Sequence, residues 1–166
     1  MHQPTLELEN PLWRFALTLW QNPDLQTHLM RLQNLYGQRV NSIIAAAWYT
    51  GRPNASASSL RQATVDTLEW HIRHVRPLRS ERLALASHES ERKKALLAQE
   101  LEAEQIEIAR LYAILNQTDF HKVSTPDSLD RLLRSVCVSE IPEHDIAKLN
   151  ALIQPVLTLH NTETKP

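Results

Sequence analysis

Between Trp70 and Arg82 the chain reads WHIRHVRPLRSER, and no other stretch gathers so many groups able to bind or react. An arginine side chain is a planar fork of N–H donors that matches phosphate and carboxylate. Helical spacing sets Arg73 and Arg76 on the face opposite Leu68, Ile72 and Val75. Arg79 and Arg82 follow Pro77, so their direction depends on how the chain turns there. Read as one surface, Trp70, His71, Arg73, His74, Arg76, Arg79 and Arg82 form an anion-binding patch for a partner. A second reading consumes the charges internally. Glu69 stands four residues before Arg73, and the Glu-rich segment near residue 100 can pair with the rest. Surface pairs of this kind are common and contribute little.

Glu104 is the other candidate. It falls in the apolar seam Leu97, Leu101, Ile108, Leu111, Leu115, where a carboxylate must be paired or have a raised pKa. Arg79, Arg82 or His71 are its expected partners. It reads either as an acid or base in a cavity or as a salt bridge that fixes helix register. His71 and His74 are three residues apart, but no E-x-x-H or H-E-x-x-H pair surrounds them, so no metal site is expected. The only cysteine, Cys137, lies among Leu133, Val136 and Val138 and reads as a buried apolar residue. Trp13, Trp20, Tyr36, Trp48 and Trp70 read as packing residues, with a ligand pocket as the minority alternative. No Walker, dinucleotide or nucleophile-elbow motif occurs, and no cofactor is expected.

Helices must position these groups. The chain has 2 Gly, too few for hairpin turns and bulges, and is rich in Leu, Ala, Glu, Gln and Arg. The expected fold is all-α: one bundle of about six to eight helices over residues 10–160, with flexible ends at 1–9 and 161–166. Asn10-Pro11 starts a first helix that is apolar nearly all round. Asn22-Pro23 starts a second, which ends at Gly37. A third is capped by Asn41 or Ser42 and closes at Gly51. A fourth, capped by Ser58 or Ser59, carries the inner stripe Leu60, Thr64, Leu68, Ile72 and Val75, and Pro77 should kink or break it. A short helix, 78–86, then leads to the longest one, about 88–116, which packs against helix 59–76. A loop, 117–125, precedes a short helix with Leu129, Leu132, Leu133 and Val136. The last helix begins near Pro142 with the stripe Ile146, Leu149, Ile153 and Val156, and Pro155 should bend or end it.

The net charge of −1 gives no global attraction to nucleic acid or anionic lipid. A single cysteine excludes an internal disulfide and a Cys-based zinc cage. The first ten residues have neither a basic nor an apolar leader region, and no apolar run approaches the ~20 residues of a membrane span. These features point to a soluble, cytoplasmic protein.

Several segments together resemble a known family. They are NPLWRFAL (Asn10–Leu17), the set Tyr36, Gly37, Val40, Asn41 and Trp48, the set Trp70, Pro77, Leu78 and Arg79, and ELEAE (Glu100–Glu104). The pattern is similar to a family of short bacterial proteins, mainly gamma-proteobacterial, known only as a domain of unknown function, and it spans roughly residues 10–115. The resemblance implies a cytoplasmic all-α protein and supplies no activity, ligand or catalytic residue. The family's basic run after PLR is diluted here by Ser80, Glu81 and Ala84, which weakens a nucleic-acid reading.

The expected function is therefore a small non-enzymatic binding or adaptor protein. It would contact a protein partner, or a structured RNA, through the bend at 70–82. The alternative is a ligand-binding protein or enzyme with an inter-helix pocket lined by Trp48, Trp70, His71, Arg79 and Glu104. A homodimer formed through the apolar first or last helix is a third possibility. The readings differ in one geometric respect. An adaptor needs the four guanidiniums on an exposed convex face, and a pocket needs several turned inward beside Glu104.

Overall fold

The computed structural model of the chain describes residues 5–117 and 125–163, the last three by backbone alone. Among the described residues the regular structure is entirely helical. The elements are α1 (Pro11–Trp20), α2 (Pro23–Tyr36), α3 (Val40–Tyr49), α4 (Ala57–Asp66), α5 (Leu68–Trp70), a π turn (His71–Val75), α6 (Arg76–Ala84), α7 (Ser90–Leu115), α8 (Leu129–Ser135) and α9 (Glu143–Glu163). The expected ends at 1–4 and 164–166, and residues 118–124 of the expected loop, lie outside the described residues.

The caps follow local chemistry. Asn10 Oδ1 accepts from the Trp13 amide at 2.8 Å and Asn22 Oδ1 from the Leu25 amide at 3.1 Å, each with Pro at the first helical position. Gly37 ends α2 at φ 64°, a left-handed conformation that costs glycine nothing. Two expected caps are wrong. Ser56, not Ser58 or Ser59, caps α4 by accepting from the Ser59 amide at 3.1 Å. Arg39, rather than Asn41 or Ser42, stands at the cap of α3 and makes no side-chain cap bond. Both Arg39 and Asn41 are committed to a buried acid instead.

The central helix is α3. Its residues from Ser42 to Tyr49 are all buried, and α1, α7 and α8 pack around it. The apolar first helix is less enclosed than its composition suggests, because Leu17 and Trp20 remain exposed. In α9 the stripe Ile146, Leu149, Ile153 and Val156 is buried as expected. Pro155 does not end that helix, which continues to Glu163. Asp145, buried near its start, accepts from Tyr36 Oη at 2.9 Å and Arg31 Nε at 3.3 Å and so ties α9 to α2.

Helix 59–76 does pack on the long helix, but with a different phase. Leu60, Ala63, Thr67, His71 and Val75 are buried, whereas Leu68 and Ile72 of the expected stripe are exposed. Pro77 neither breaks nor sharply ends the rod. The chain passes it through the π turn, whose Arg76 amide donates to His71 O, five residues back. The turn inserts one extra residue just before the proline, so the missing N–H falls at a junction where α-helical bonding has already lapsed.

Candidate functional site

The inner seam of α7 is also shifted by one residue at its start. Leu96, Glu100, Ala103 and Glu107 are buried, while Leu97 and Leu101 are exposed. The pattern of leucines suggested the reverse. Glutamates enter the seam because arginines from other elements meet them there.

Glu100, only 4% exposed, is gripped by two guanidiniums of α6. Arg79 Nε donates to its Oε1 at 2.9 Å. Arg82 Nε donates to Oε2 at 2.7 Å and Arg82 Nη2 to Oε1 at 3.3 Å. Arg79 Nη2 donates further to Glu104 Oε1 at 2.8 Å. Glu104 is therefore paired with the first of its expected partners. It is not the only acid of the seam, and Glu100 and Glu107 are the more buried ones. Burial pushes the Glu104 carboxyl up to about 7; Arg79 opposes the shift, and the nearby charges of Glu100 and Glu107 reinforce it.

One turn farther along α7, Glu107 is enclosed by α3 and the π turn. His71 Nδ1 donates to its Oε2 at 2.8 Å, Arg39 Nη2 lies 3.3 Å from the same oxygen, and Asn41 Nδ2 donates to Oε1 at 2.9 Å. Burial alone would raise this carboxyl, but His71, Arg39 and Asn41 outweigh it and hold it below the usual glutamate range. Arg39 also donates to Thr64 O at 2.7 Å and to Thr67 Oγ1 at 3.0 Å. Its Nε is buried without a partner among the described residues. These groups are enclosed, and they join α3, α4, the π turn and α7.

A cavity of about 410 Å³ opens beside Glu104. Its apolar wall includes Trp13, Leu17, Trp20, Met30, Ile44, Leu97, Leu101 and Ile108. Its polar wall is Gln33, Asn41, Arg79, Arg82, Glu100 and Glu104. That size and composition match small-molecule sites, which are mostly apolar with a few convergent polar groups. The lining includes Arg79 and Glu104 of the expected pocket. It does not include Trp48, Trp70 or His71.

The sequence-derived patch is thus divided. Arg79 and Arg82 are 16% and 22% exposed and face the long helix. Arg73 is exposed and pairs with Glu69 at 3.1 Å, and Arg76 is exposed. Trp70 donates from Nε1 to Ala103 O at 2.9 Å. Its ring stacks on His74 at 3.9 Å and lies under the Arg110 guanidinium at 4.5 Å. The tryptophans form no single cluster: Trp48 packs edge-on to Tyr112 and under Arg52, and Trp13 and Trp20 face the cavity. Cys137 is half-buried rather than buried, and its Sγ lies 3.3 Å from Leu133 O. Burial raises its thiol pKa. Among the described residues no group of three or more His, Cys, Asp or Glu is placed to hold a metal ion. No helix of the described residues is long and apolar enough to cross a membrane.

Sequence reasoning missed Arg39 and Glu107, reached Glu100 only as part of a Glu-rich segment, and gave Trp13 and Trp20 a pocket only as the minority alternative to packing. The seven-residue interval from Glu100 to Glu107, with Ala103 between, was a signal that one helical face carries both acids. Nothing local marked Arg39. Its partner is 68 residues away, the difference between positions 39 and 107.

Residues 11–111 match the family described as protein of unknown function (DUF2390), and the chain belongs to that family. The match takes in α1 through most of α7, and with them both buried glutamates, both inward arginines and the cavity. No curated protein and no solved structure matches the chain.

Proposed function

We propose that this member of a family without an assigned activity is a small non-enzymatic binding protein. Its ligand is a compact amphiphile seated in the cavity between α1, α2, α3, α6 and α7. The observation that carries the reading is the inward turn of Arg79 and Arg82 onto Glu100 and Glu104 at the wall of an otherwise apolar hollow. Charges in such a place cost desolvation energy that a hydrophobic wall would not. Their retention beside an open volume is the arrangement by which a pocket orients a polar head while its walls take an apolar body. Among the described residues the cavity lining contains no Ser, Thr, Cys or His that Glu104 could activate as a nucleophile.

The test is an NMR titration with 1-decanol, a neutral amphiphile. The indole N–H signals of Trp13 and Trp20 shift, and those of Trp48 and Trp70 hold still. Unchanged Trp13 and Trp20 signals at saturating decanol refute the pocket.

A second reading keeps the outer face of the bend as a contact surface for an acidic partner protein. One observation favours it: exposed Arg73 and Arg76 lie close in sequence to the Trp70 ring, which stacks on His74 and lies under the Arg110 guanidinium. Capture from lysate at low and high salt, with wild type beside an Arg73→Glu/Arg76→Glu variant, separates the two. A partner lost from the variant and from high salt belongs to this face, and RNA in the eluate would reassign the partner's class.

A further inference from the structure

The geometry points to an amphiphile with a single anionic head, a carboxylate on an apolar tail or ring, held by Arg79 and Arg82 in competition with Glu104. The inference rests on the pocket reading above and names the ligand class of that same site.

Each guanidinium has five N–H donors. Arg79 spends one on Nε and one on Nη2, and Arg82 does the same. The remaining N–H groups make no hydrogen bond to protein among the described residues, yet both side chains line the cavity. Of the two acids beside them, Glu100 is saturated. It takes three of the four donated bonds and is 4% exposed. Glu104 takes one bond through Oε1 and is 22% exposed, so it is the partner that can be replaced. A carboxylate head offers the same two-oxygen geometry as Glu104 and fits the fork of Arg79.

The charge count agrees. Two arginines face two acids, and burial raises one of them, Glu104, to about 7, so whenever Glu104 holds its proton the polar wall is net positive. Glu104 meets Arg79 from α6, with Glu100 and Glu107 on its own helix, and Arg82 stands behind Glu100. The cavity-lining residues of α1, α2 and α3 include no titratable group. An ionised Glu104 both occupies Arg79 and repels an anion, so binding the anion is coupled to a proton on Glu104. A cationic head meets two guanidiniums, and the one sparsely bonded acid, Glu104, is already held by Arg79. The apolar wall, which includes Trp13, Trp20, Leu97 and Leu101, accepts the tail.

The experiment compares decanoate, 1-decanol and decylamine by isothermal titration below their micelle concentrations, at about pH 6 and about pH 8. Decanoate and decylamine keep their charges throughout this window, so any pH effect is the protein's. Decanoate is expected to bind at least about tenfold more tightly than decanol at the lower pH, as a charge-assisted bond allows. Decylamine is expected to bind more weakly than decanol. The decanoate advantage shrinks by about tenfold at the higher pH as Glu104 ionises. In Glu104→Gln the advantage persists at both pH values, and in Arg79→Met it is lost while decanol still binds. Equal affinities for decanoate and decanol, or an unchanged pH dependence in Glu104→Gln, overturn the head-group assignment and leave the pocket standing. Failure of all three amphiphiles to bind overturns the pocket as well.

Discussion

Glu107 shows how much depends on one side chain. It is 1% exposed and satisfies Arg39, His71 and Asn41 at once. Replacing it with alanine strands the Arg39 cation in a site it cannot leave. Glu107→Ala should therefore lose about 3–5 kcal/mol of folding stability, measured by urea denaturation. The double variant Arg39→Met/Glu107→Leu removes both charges and keeps the volume, so it should recover most of that loss. A Glu107→Ala protein as stable as wild type would mean that water reaches Arg39. Part of this chemistry was visible beforehand: an acid in an apolar seam needs a cation, and Arg79 was named among the partners of Glu104. Arg39 and Glu107 were not visible, because nothing between positions 39 and 107 signals that the two must meet.

At the scale of the elements, the order of the helices and most of their ends were legible because Asn-Pro pairs, glycines and long apolar periods mark them, whereas the starts of α3 and α4 were not. Gly37 is the sharpest case. Its φ of 64° is strained for any residue with a Cβ, although nothing lies within 4 Å of the place a Cβ would take. Gly37→Ala should cost about 1 kcal/mol, and Gly37→Asn less, as urea midpoints would report. The cost is conformational, since no clash accompanies it. The rotation of each helix was less legible. Leucine was read as buried and glutamate as exposed, which put the α7 seam on Leu97 and Leu101 instead of Leu96 and Glu100. The same rule put Leu68 and Ile72 on the buried face, where Thr67 and His71 stand. Both errors have one cause. The polar residues are buried in pairs drawn from distant parts of the chain, and a hydrophobic pattern cannot register a pair.

For the molecule as a whole, the buried acids set how stability responds to pH. Glu107 and Asp145 titrate below their ordinary values in the folded state, so the unfolded chain binds more protons and stability falls as acid protonates them. Glu104 has the opposite sign. Its folded carboxyl is raised from 4.5 to about 7, so the stabilisation from keeping it neutral is complete below 4.5 and is lost as pH rises through 7. Urea midpoints should peak near pH 5 and decline on both sides, by on the order of 2 kcal/mol on the way to about pH 8. Glu104→Gln should flatten the upper slope alone. A wild-type midpoint that does not change between pH 5 and pH 8 would show that Glu104 is solvated in the folded protein. The π turn has a consequence for any comparison among relatives. It holds one surplus residue within a single turn, so removing it restores α-helical bonding and leaves everything after it in place against α7. A homologue one residue shorter between His71 and Val75 then carries its two arginines at the same places against Glu100 and Glu104, and an alignment blind to the gap would set them opposite Leu78 and Glu81 and count them as lost.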